Sequence, residues 1–90
     1  MRVAMSTRSG RPGERVRVRV APADPSRVAG VRLTVGYELD LTLQRAGDEW
    51  TGEQEVPWDA PAGTYYLSFQ AFDANRQAVE NAEETFTVQG

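Results

Sequence analysis

Residues 15–20 read Arg-Val-Arg-Val-Arg-Val and run on into Ala21. Successive side chains of a β-strand point to opposite faces, so strict alternation of a charged with a β-branched residue describes a strand half in water and half on a core. Val16, Val18 and Val20 then face inward, while Arg15, Arg17 and Arg19 share the solvent face. The rest of the sequence supplies pieces of the same kind.

Gly and Pro interrupt the chain from Gly10 to Gly63 so often that few helices survive between them. Val3 and Met5 mark a weak strand before the Arg-Val run. Val31, Leu33 and Val35 form a third set, and Leu39, Leu41 and Leu43 a fourth. In a fifth, Trp50 and Val56 share one parity, with Thr51, Glu53 and Glu55 on the other. Tyr65, Leu67, Phe69 and Ala71 make a sixth, and Phe86 with Val88 closes the series. The parity never changes between Val31 and Leu43, yet an unbroken strand of that length, at about 3.3 Å per residue, would exceed ~40 Å. The chain must turn inside it. A three-residue loop at Gly36-Tyr37-Glu38 keeps the parity and sets Val35 opposite Leu39, Leu33 opposite Leu41 and Val31 opposite Leu43. Asn75 to Glu84, rich in Ala, Glu and Gln, offers only Ala78, Val79 and Ala82 as an apolar stripe. It reads as a long hairpin connection with one helical turn. About seven short strands joined by frequent turns predict an all-β, two-sheet antiparallel sandwich.

Composition narrows the function. The 90 residues carry ten basic and thirteen acidic side chains, a formal charge of −3, with no His and no Cys. Every basic residue is Arg. Without imidazole or thiol there is no Ser-His-Asp or Cys-His pair, no zinc-thiolate site and no disulfide, so no enzyme and no cofactor is expected. A 40% hydrophobic chain of this length closes a single core, and residues 1–90 read as one domain. The acidic balance argues against nucleic acid as a partner. No stretch approaches the ~20 apolar residues of a membrane span, so no direct membrane insertion is expected, and Met1-Arg2-Val3 opens no signal-peptide core.

Three runs carry a family resemblance. "SGRPGERVRVRVAPAD", residues 9–24, is similar to the first hairpin of bacterial immunoglobulin-like and fibronectin type III-like modules, where Pro-Gly-x-x-Val-x-Val leads into the second strand. "GDEWTGEQEVPWDAPAGTYYLSFQAFDAN", residues 47–75, resembles their Trp strand, Val-Pro, Ala-Pro-x-Gly-Thr-Tyr and alternating strand that ends in Ala-x-Asp. "ETFTV", residues 84–88, looks like their closing strand. The resemblance implies an immunoglobulin-like sandwich of about seven strands, excised from a larger secreted or cell-envelope protein. It also implies a non-catalytic spacer or adaptor role, with neighbouring domains of the same chain or another protein as partners. Two departures stand out. Arg76 occupies a place where those modules often have Gly, which leaves Asn75 to take the left-handed conformation. Gln54 stands where an inward apolar residue is usual, so its strand is expected to pack loosely at an edge.

The aromatic residues divide by parity. Trp50 and Tyr65 fall on inward positions and read as core. Tyr66 and Phe72 fall on the opposite parity, and Trp58 follows Pro57 in a loop. Trp58, Tyr66 and Phe72 are therefore the candidate contact residues for a partner, or for a carbohydrate in an alternative reading as an accessory binding module. Asp24, Asp40, Asp48, Glu49, Asp59 and Asp73 lack calcium-loop spacing, Asp73-Ala74-Asn75 being the nearest approach, and read as solvated turn residues with no metal. Arg15, Arg17 and Arg19 resemble a phosphate-matching row. A sandwich would set them beside Thr51, Glu53 and Glu55, making a charge ladder instead.

Overall fold

The computed structural model describes residues 1–36 and 39–90. Its strands are β1 (Arg2–Met5), β2 (Ser9–Gly10), β3 (Arg15–Ala21), β4 (Gly30–Val35), β5 (Leu39–Thr42), β6 (Gln44–Ala46), β7 (Glu49–Glu55), β8 (Gly63–Phe72) and β9 (Ala78–Val88). The helical content among the described residues is one 3-10 turn, Pro25–Arg27. One sheet has the order β1-β3-β7-β6 and the other β2-β9-β8-β4-β5. All pairings are antiparallel except β2 with β9, which run parallel.

The inward parities read from the sequence meet between the two sheets. Val16, Val18 and Val20 from β3 and Trp50 from β7 face Val31 and Leu33 from β4, Leu67, Phe69 and Ala71 from β8, and Phe86 and Val88 from β9. Val20, Phe69, Trp50 and Val31 are the largest side chains that are wholly enclosed. The expected register of the third and fourth sets holds, with Leu33 opposite Leu41 and Val35 opposite Leu39, and Leu43 N–H donates to Val31 O at 2.9 Å. Gly36 stands in the turn with φ of +57°. Tyr37 and Glu38, the other residues of that expected loop, lie outside the described residues.

Three expectations are corrected. The described residues form nine strands rather than seven. The additional β2 and β6, Ser9–Gly10 and Gln44–Ala46, are too short and too polar to show a period. The segment from Asn75 to Glu84 is not a long connection, because β9 begins at Ala78 and pairs with β8 along its whole length. Pairing with the long neighbour β8 overrides the helical propensity of Ala and Glu there. In the turn before it, Asp73 Oδ1 accepts the N–H groups of Asn75 and Gln77, each at 2.9 Å. Arg76, not Asn75, takes the left-handed conformation, with φ of +62°.

Candidate functional site

The sandwich is open on one side. β6 covers β7 only from Glu49 to Thr51, so the Gly52–Glu55 edge of β7 has no strand beside it among the described residues. The facing sheet ends at β5. Between these edges lies a cleft of about 540 Å³ lined chiefly by apolar side chains, among them Val35, Leu39, Leu41 and Tyr65. Beside the cleft, Leu41 and Leu43 pack over Gly52, where a Cβ would fall 2.4 Å from Leu43 Cδ2. Among the described residues, the charged ones that line the cleft are Glu55 and Asp59, both acidic. Gln54, expected to loosen this strand, lines the same cleft and donates its side-chain amide to Glu55 O at 2.9 Å.

Backbone phase decides what the open edge offers. Val56 N–H donates to Glu14 O at 2.8 Å, on the β3 side. Because alternate residues of an antiparallel strand direct their polar groups to opposite sides, Gln54 and Gly52 also face β3, and Glu53 and Glu55 face outward along the edge.

Trp58 lies in the β7–β8 loop between two lining residues of the cleft, Pro57 and Asp59. It is 76% exposed. Its ring rests on Gly13, where a Cβ would fall 2.4 Å from Trp58 Cζ2 and where φ is +91°. Only glycine leaves that space, so the loop presents one aromatic face to backbone and the other to solvent.

Tyr66 and Phe72 share the outer face of β8, six residues or about 20 Å apart. Tyr66 is 75% exposed, whereas Phe72 is half-buried and carries the Arg32 guanidinium 5.6 Å from its ring centroid. Trp50 is buried in the core as read, and Tyr65 is half-buried with its hydroxyl donating to Pro61 O. Of the carboxylates read as turn residues, Asp40 and Glu49 lie in the strands β5 and β7 instead, and three of the set serve local bonds. Asp73 caps its hairpin, Asp40 Oδ1 accepts from Thr34 Oγ1 at 3.0 Å, and Asp24 Oδ1 accepts from Ser26 Oγ at 2.6 Å.

The arginine row meets its carboxylates. Arg17 stands opposite Glu53 and Arg15 opposite Glu55 in the β3–β7 register. Glu53 lies 3.5 Å from Arg17 and 4.0 Å from Arg15, and Arg19 reaches Glu49 at 3.8 Å.

Sequence reasoning missed Glu80. It shares the inward parity of Phe86 and Val88 on β9, and its carboxylate accepts the N–H groups of Ala23 at 2.8 Å and Asp24 at 3.1 Å. The Met1 α-amino group lies 3.3 Å from the same carboxylate. These amides, the Ala23 bond foremost, outweigh desolvation and hold Glu80 below its usual 4.5. The signal in the sequence was a carboxylate at even spacing from two apolar residues, visible only once the 78–88 run is known to be a strand. No family model matches the chain, and no curated protein matches it significantly.

Proposed function

We propose that this chain is a non-catalytic immunoglobulin-like module whose role is contact with neighbouring domains or another protein. The observation that carries the contact reading is the apolar cleft with Trp58 exposed beside it. Apolar surface left open to water at this scale marks interaction sites on soluble domains. The immunoglobulin-like reading draws support from two features. The leading segment divides between the sheets, β1 against β3 and β2 parallel to β9. Tyr65, near the start of β8, bonds back to Pro61 O in the manner of a tyrosine corner. A secreted or cell-envelope location belongs to the same proposal and follows from the resemblance of the sequence.

A photo-reactive phenylalanine analogue at position 58, in the cells that make the protein, tests the contact reading. Cross-links to a polypeptide that exceed those from position 32 are expected, and their absence overturns it. The exposed Trp58 face also favours a second reading, stacking on a carbohydrate ring. With Trp50 enclosed, a saturable change of Trp emission on saccharide titration, lost in Trp58→Ala, would establish that second reading.

A further inference from the structure

Resting on the reading of the cleft as a contact site, we propose that its occupant is an extended segment of another polypeptide, alternating apolar with basic residues. It adds as a strand to the open edge of β7 and lowers its apolar side chains between the sheets. The Gly52–Glu55 edge offers room for about four residues, or about 13 Å of strand. Glu53 and Glu55 direct their backbone groups along that edge, and only another backbone matches them repeatedly; a compact apolar ligand would fill the cleft and leave them facing water.

The side-chain chemistry follows from the pairing. Residues directly opposite in an antiparallel pair share a face. Those opposite Glu53 and Glu55 therefore point outward beside two carboxylates, where Arg or Lys is favoured. The residue between them, opposite Gln54, points inward to the cleft that Leu39 and Leu41 line. The other edge of β7 already holds this arrangement, for β3 sets Arg15 and Arg17 opposite Glu55 and Glu53 and turns Val16 and Val18 inward. The occupant repeats on the open edge what β3 does on the paired one. Its basic side chains also suit a cleft whose charged lining residues, among the described ones, are Glu55 and Asp59.

A capped peptide repeating residues 15–20 is the probe, titrated into the folded chain and followed by calorimetry and amide NMR. Saturable binding is expected, with slowed exchange of the Glu53 and Glu55 amides. The phase of the edge makes a sharper demand. The backbone of the peptide's arginines should pair with Glu53 and Glu55, so N-methylation of the arginines should weaken binding about tenfold or more, while N-methylation of the valines leaves it nearly unchanged. A peptide with serine for every valine should fail to bind. Equal binding of both N-methylated peptides at the cleft would overturn strand addition and leave the contact reading intact. Equal binding of the serine peptide, or no binding of the parent peptide, also overturns the proposal. Concentration-dependent shifts of the same amides without peptide would make a second copy of the chain the occupant instead. The contact reading itself falls only if the cross-linking at position 58 fails.

Discussion

At the scale of single residues, the enclosed and the strained positions make opposite predictions. Trp50 is 1% exposed at the centre of the core. Trp50→Ala should lower stability by about 3 to 5 kcal/mol, a large part of the total for a domain of this size. Chemical denaturation checks it, and a loss below about 1 kcal/mol would place the ring outside the core. Arg76 holds a left-handed conformation that costs a side-chain-bearing residue about 1 to 2 kcal/mol. Arg76→Gly should therefore stabilise the chain by about 0.5 to 1 kcal/mol, the relief being partly offset by the greater freedom of glycine when unfolded. A fall in melting temperature would contradict the strain. Trp50 was legible because its parity matches Val56, one residue past the end of the same strand. Arg76 was misassigned because the Asp73-Ala74-Asn75-Arg76 run contains two polar residues able to start a turn, and only the amides captured by Asp73 decide where the left-handed residue falls.

At the scale of elements, pairing between strands sets the electrostatics. Arg17 and Glu53 face each other across β3 and β7, largely in water. A double-mutant cycle should give a coupling of about 0.2 to 1 kcal/mol that shrinks with added salt. Tight, salt-sensitive binding of heparin, lost in Arg17→Ala, would instead make the arginines a polyanion stripe. Glu80 ties β9 to the Ala23–Asp24 segment. Its folded pKa lies below its usual 4.5, so the stabilisation is complete above that value and is lost as pH falls through the lowered one. Glu80→Gln should flatten the acid limb of the stability profile below about 4.5 and lower the plateau above it. An unchanged acid limb would show that the amides do not favour the ionised form. The ladder could be read from alternation alone, since β3 and β7 carry complementary charges on matching parities. The cleft could not, because its walls are inward residues of otherwise ordinary strands; it opens only because β6 stops short, and strand ends leave little trace in a hydrophobic period.

For the whole molecule, the far-ultraviolet circular dichroism should be that of a β protein, and a helical fraction above about a quarter would refute the architecture. The two-sheet arrangement was legible because nearly every long strand alternates cleanly. The count was not, because β2 and β6 are recognised by partners rather than by pattern. β2 has a consequence that concerns mechanical force. Thr87 N–H donates to Arg8 O at 3.0 Å and Gln89 N–H to Gly10 O at 2.8 Å, between segments that run in the same direction. Tension that enters the chain ahead of Arg8 and leaves beyond Gln89 pulls these segments past one another along their length. Both bonds then bear the load together, whereas an antiparallel pair of terminal strands would peel apart one bond at a time. The short parallel pairing thus makes the Arg8–Gly10 and Thr87–Gln89 segments a shear clamp.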